Sequence, residues 1–310
     1  MKAGNEKNWA KQSPYDRFLN FIALNVDRFK ILLQTVEKLS LNSTVITISD
    51  NRHFFIFPQT QNIQRTLASG SFPFSGKHPY IFTAHYDRVE GSSGANDNSI
   101  AVFHLLRAAM EFNLRNIDNW IIIFTDKEEL ALGENLEIQG AYTLGQKLKT
   151  WGLEKARIYN FDACGTGDTF IFSTITDSVL GNNELPNINK LRTEIRQLRN
   201  HALDTANQLR MEKFFLAPTP FSDDIGFLRA GFAAQTITLL PAEEASKYEE
   251  VLRKNPEFSN LIITGKIKTQ PERRFLPTTW KNINTPADNH QRLTPKFYDQ
   301  IVNFIINLCR

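Results

Sequence analysis

Short apolar runs alternate with stretches of helical period through most of this chain, and that alternation admits few architectures. Residues 79–83, 120–125, 157–161, 169–173 and 233–240 each read as a strand bounded by polar positions. Among them, 98–112 carries Val102, Leu105, Leu106, Ala109 and Met110 on one side of a helix. Residues 141–148 and 187–209 are also helical, and 295–308 forms a closing helix. Strands alternating with helices predict an α/β fold, a three-layer sandwich with a mostly parallel central β-sheet flanked by helices. Ahead of this core, Phe18, Phe21, Ile22, Leu32, Leu33 and Val36 recur at three- and four-residue steps and predict one amphipathic helix over 15–41. Residues 45–49 and 53–57 then predict a hairpin turning at Asp50-Asn51-Arg52.

No linker divides the chain, so residues 1–310 are expected to form a single domain, with the N-terminal helix and hairpin occupying about 15–57. Residues 242–280 are the irregular part. They begin with a charged helical stretch around Glu243, Glu244 and Lys247 and end near Pro271 and Pro277. They read either as a solvated excursion between core elements or as a lid over a site. The 24 Phe residues predict an aromatic core.

Charge and hydropathy exclude several functions. Lys and Arg number 36 against 33 Asp and Glu, a net charge of +3 with no basic run, so no nucleic-acid partner is expected. No segment approaches the ~18 consecutive apolar residues of a membrane span, so no membrane partner is expected. The first fifteen residues lack an apolar signal stretch. A cytoplasmic location follows, or a secreted one if a leader has been removed. Cys164 and Cys309 make neither a disulfide framework nor a cysteine zinc site. Ser92-Ser93-Gly94 lacks the Gly-x-Ser-x-Gly elbow of a serine hydrolase.

Ligands of α/β sheets bind at the carboxyl ends of the strands. Three predicted strands end there in candidate metal ligands: Ala84-His85-Tyr86-Asp87, Asp126-Lys127-Glu128-Glu129, and Asp162. Gly94-Ala95-Asn96-Asp97-Asn98 adds Asp97 at the start of a helix. Taken singly, each has a structural reading: a surface His-Asp pair, a solvated helix start, an N-cap. Together they form an oxygen-rich set with one imidazole, suited to zinc or a similar divalent ion.

In this order these residues resemble the M28 family of zinc-dependent peptidases, of the co-catalytic aminopeptidase type. Gly140-Ala141-Tyr142, Asn160-Phe161-Asp162, Ser222-Asp223-Asp224 and Thr285-Pro286-Ala287-Asp288 extend the resemblance to about residues 80–293. It implies a metal-dependent hydrolase of peptide amide bonds acting on small peptides, with one or two Zn2+ ions. His85 and Asp162 would bind one zinc, Asp97 would bridge, and Glu129 would bind the second. Glu128 would be the general base, and Asp87 would orient His85 through its other ring nitrogen.

One position departs from the family pattern. Where the family has its last zinc-binding His, this chain has Asn284. Three outcomes stay open: Asn284 coordinates more weakly, His290 reaches in, or a single metal binds. The alternatives are a glutaminyl-cyclase-like one-zinc enzyme and a catalytically weakened relative that binds peptides or a partner. M20-like amidohydrolases share the His-x-Asp start but differ at Asp97-Asn98-Ser99. His53, His78, His104 and His201 are expected to be structural or exposed, and Cys164 to serve packing.

Overall fold

The strand Trp120–Thr125 shows how the sheet is built. Trp120, Ile122 and Phe124 enter one apolar cluster, while Ile121 and Ile123 enter another. Such a strand has no polar side to present, hence its continuous apolar sequence. The same division holds next door, where Phe82 and Ala84 face the first cluster and Ile81 the second.

The computed structural model describes residues 13–62, 78–130, 134–181, 187–263, 267 and 271–310. Eight strands are β1 (Asn42–Ile48), β2 (Asn51–Phe57), β3 (Tyr80–His85), β4 (Trp120–Thr125), β5 (Arg157–Phe161), β6 (Thr169–Ser173), β7 (Phe214–Ala217) and β8 (Ala234–Leu240). They form one sheet in the order β1-β2-β4-β3-β5-β8-β6-β7. The central pairs β4–β3, β3–β5 and β5–β8 are parallel, as is β6–β7. Antiparallel pairing of β1–β2, β2–β4 and β6–β8 makes the sheet mixed. The α/β fold and the parallel centre are as the sequence predicts.

Helices Arg28–Lys38, Ile100–Leu114, Ile188–Gln208 and Tyr298–Leu308 bury their apolar stripes in the first cluster, and Gly140–Thr150 packs into the second. Phenylalanine supplies much of this filling: Phe82 lies against Phe112 at 5.7 Å and Phe161 at 6.2 Å between ring centroids. No helix among the described residues is long and apolar enough to cross a membrane.

Three expectations need correction. The helix predicted over 15–41 is broken into Pro14–Arg17, Phe18–Ile22 and Arg28–Lys38. Arg88 draws the carbonyls of Ile22, Ala23 and Leu24 into hydrogen bonds, and Asp27 caps a new helix by accepting from the Lys30 N–H at 3.1 Å. The hairpin turns earlier than predicted, at Ser49 and Asp50, whose φ of 48° and 69° suit a two-residue turn. The closing helix begins at Tyr298, after a 3-10 turn at Pro295–Phe297. β7, only four residues long, lies beyond what periodicity detects.

The stretch at 242–280 is not merely solvated. Its helices Ala242–Lys254, Pro256–Ile263 and Thr278–Asn282 gather Tyr248, Phe258, Ile262 and Trp280 into a third cluster against Ile171 of β6 and Leu240 of β8. Residues 264–266 and 268–270 of it lie outside the described residues.

Candidate metal centre

Register brings the candidate ligands together. His85 closes β3 opposite Thr125 of β4, and Thr83 pairs with Asn160 of β5, so the carboxyl ends of three parallel strands lie side by side. His85 Nε2 is 3.1 Å from Asp97 Oδ1 and 3.8 Å from Asp162 Oδ1. His85 Nδ1 is 3.3 Å from Asp87 Oδ1, and Asp87 Oδ2 accepts the Glu129 N–H at 3.0 Å. Asp87 therefore ties the end of β3 to the turn after β4. Among the described residues, His85, Asp97 and Asp162 form one donor group and His85, Glu128 and Glu129 another, with ligand atoms within 4.8 Å of one another in each.

Asp97 sits in a turn that only its neighbours make possible. Gly94 has φ 56°, and a Cβ there would stand 2.7 Å from the Asp97 carbonyl oxygen. The Asp97–Asn98 peptide is cis. The Asp288 carboxylate accepts the N–H groups of Asn96 at 2.8 Å and Asp97 at 3.0 Å, and Asn98 Nδ2 donates to the Phe161 carbonyl at 2.7 Å. These bonds aim the Asp97 side chain at His85.

Asp162 is held from behind by a buried relay. Thr83 Oγ1 donates to Asn160 Oδ1 at 3.0 Å, Asn160 Nδ2 to Ser222 Oγ at 2.7 Å, and Ser222 Oγ to Asp162 Oδ2 at 2.6 Å. Oδ1 remains toward His85. Sequence reasoning quoted Asn160 and Ser222 only within motifs and did not single out Thr83 for the site. The available signal was two polar residues in otherwise apolar strands at cross-strand register.

The centre is a concentration of negative charge. Burial disfavours a charged His85, but the carboxylates of Asp162, Asp87 and Asp97 outweigh it and raise its pKa well above the usual value. Burial, with Asp97 adding, pushes Glu129 up to about 9. Behind the strand ends, burial pushes Asp223 up to about 7, and its Oδ2 accepts from Thr125 Oγ1 at 2.5 Å. Glu129 Oε1 and Asp162 Oδ1 are buried without a hydrogen-bond partner. Unpartnered carboxylate oxygens grouped about an imidazole fit a divalent cation, which would relieve both the repulsion and the lost hydrogen bonds.

Asn284, in the left-handed region at φ 60°, also reaches this cluster, and its Nδ2 donates to Glu129 Oε2 at 3.0 Å. His290 is exposed and belongs to neither donor group. His104 is buried, its Nδ1 lying 2.6 Å from the Tyr15 hydroxyl, and His53 accepts the Asp126 N–H at 3.3 Å. Cys164 is a buried thiol that donates to the Ile237 carbonyl at 3.1 Å.

Fold and donor set together define an α/β protein with a buried acidic cluster suited to a divalent cation at the strand ends. The Peptidase family M28 profile matches residues 66–309, and the chain belongs to that family. Its structure is similar to glutaminyl cyclase from Porphyromonas gingivalis, at 15% identity over 99% of each chain with a TM-score of 0.61. It is also similar to a leucine aminopeptidase precursor from Bacteroides thetaiotaomicron, at 15% identity over 96% of this chain and 95% of that one, TM-score 0.60. A zinc aminopeptidase from Bacillus subtilis matches 83% of this chain at 17% identity and TM-score 0.48, and the chain spans about half, 48%, of its length. Among curated proteins none matches this sequence. At such identities the likeness to these structures is one of fold.

Proposed function

We propose that this protein is a zinc-dependent aminopeptidase of small peptides, with a cation held by His85, Asp97 and Asp162 and with Glu129 at the position of a second. A cation bound there supplies Lewis-acid polarisation of the scissile carbonyl and acidifies water. The chain's own groups handle the protons. Glu128 takes the proton of the attacking water as oxygen adds to the carbonyl carbon, then delivers it to the amine as the C–N bond breaks. Asp87 keeps His85 in the tautomer that leaves Nε2 free for the cation.

The observation that carries this reading is the second carboxylate beside Glu129. Glu128 shares a donor group with His85 and Glu129. Burial raises its pKa well above the usual value, His85 opposing and Glu129, Asp162 and Asp223 adding. A buried carboxyl of raised proton affinity beside the donor group suits general acid–base work. Incubation with aminoacyl chromogenic substrates, adding zinc, cobalt and manganese in turn, tests it. Glu128→Gln is expected to lose turnover by about 10²–10⁴-fold while retaining metal. Full activity in metal-stripped protein contradicts the reading.

Asn284 favours a second reading, a glutaminyl-cyclase-like enzyme with one zinc, because a neutral amide stands where the family's last histidine would be. The imidazole of His85 in the donor group weighs against it. Ammonia release from a Gln-initiated peptide, without cleavage, would decide for the cyclase.

A further inference from the structure

Residues 13–62 precede the family match, yet two arginines bind them to the cation centre in opposite directions. Arg28 reaches in from the first turn of its helix. The residue is 7% exposed, and its guanidinium lies 4.3 Å from the centroid of the Phe21 ring and sits beside the carboxylates of Asp87, Asp97 and Asp288. Nη1 donates to the Asp87 carbonyl at 3.2 Å, and Nη2 donates to Ser99 Oγ. Ser99 Oγ passes the contact on to the Gly94 carbonyl at 2.5 Å. Arg88, next to Asp87, reaches out: Nη1 donates to the Ile22 carbonyl at 3.1 Å and Nη2 to those of Ala23 at 2.9 Å and Leu24 at 2.7 Å.

The acceptors of Arg28 lie on the two segments that bring ligands to the centre. The Asp87 carbonyl belongs to the residue aligning His85, and Ser99 and Gly94 close the turn carrying Asp97. A planar guanidinium can bridge two such acceptors at a fixed separation, which a lysine ammonium cannot.

We propose that Arg28 is a positioning residue of the cation centre, setting the distance between the Asp97 turn and the His85–Asp87 strand end. This rests on the reading that His85, Asp97 and Asp162 hold a divalent cation. Arg28 touches neither cation nor substrate, so its effect is on how well the ligands are arranged beforehand.

The test is zinc affinity of the full-length, metal-stripped protein, measured by competition with a chromophoric chelator alongside thermal unfolding of the same samples. Arg28→Met is expected to lower affinity about 10–100-fold, the range for residues that orient metal ligands. Arg28→Lys keeps the charge but not the fork, and is expected to lose about tenfold or more. Ser99→Ala leaves Arg28 in place and decides the matter if neither arginine variant folds; about tenfold weakening is expected. A folded variant that melts earlier but binds zinc within about twofold of wild type makes Arg28 a stability residue only, and overturns the proposal. Wild-type protein that takes up no zinc overturns the metal-centre reading itself and this inference with it; there the failure lies in the wild type, not in the variants.

Discussion

Asn284 Nδ2 donates to Glu129 Oε2 at 3.0 Å, so the carboxylate that would serve a second cation is already partnered by a neutral amide. An amide nitrogen offers no lone pair to a metal. We therefore expect wild-type protein to retain about one zinc ion per chain, and Asn284→His to raise this to about two. Elemental analysis after equilibrium dialysis measures both. Two tightly held ions in the wild type would contradict the expectation.

The relay behind Asp162 predicts a defect without loss of fold. Ser222→Ala removes the donor to Asp162 Oδ2 and leaves Asn160 Nδ2 with Thr236 Oγ1, 3.1 Å away, as its remaining partner. Zinc affinity should fall about 10–100-fold, read by chelator competition. Far-ultraviolet circular dichroism should be unchanged.

Gly140 is pressed against the turn that carries the glutamate pair. A Cβ there would stand 1.7 Å from the Asp126 carbonyl oxygen, and the Gly140 N–H already donates to the Lys127 carbonyl at 3.1 Å. Gly140→Ala must move backbone, at a stability cost of about 1–3 kcal/mol or more. Urea denaturation measures that loss, and turnover should fall with it because Glu128 and Glu129 shift.

Two buried histidines set an acid limit on stability. Burial lowers the pKa of His53 to about 4 and of His104 to about 3, against an ordinary 6.5. Below pH 6.5 the unfolded chain binds protons that the folded chain refuses. The stability these two groups contribute is thus complete above that pH and is lost as the pH falls toward the folded values. Each group contributes a slope of about 1.4 kcal/mol per pH unit across that window. The raised carboxyls of Glu129 and Asp223 act with the opposite sign, so the check is the stability difference between wild type and His104→Gln at pH 7, 6 and 5: the advantage of the wild type should shrink as the pH falls, and a constant difference would contradict the expectation.

Much of this arrangement was legible before the structure. Trp120–Thr125, Arg157–Phe161 and Thr169–Ser173 fall on the predicted strand bounds, because apolar runs ended by polar residues carry their own limits. His85, Glu128, Glu129 and Asp162 could be named because they stand at or just after strand ends, while Asp97 was named from the start of the next helix and the family resemblance. What could not be read came from distant partners. Nothing near Ile22 announces that Arg88 will take its carbonyl and end the helix. The bond between Asn284 and Glu129 spans 155 positions, and no local pattern announces it.

Asp288 stands 191 positions after Asp97, yet its carboxylate fastens the Asp97 N–H. During synthesis the ribosome must deliver Asp288 before that clasp exists, so the closure is strongly non-local. A chain cut short before Asp288 presents the earlier candidate ligands with no latch on the Asp97 turn.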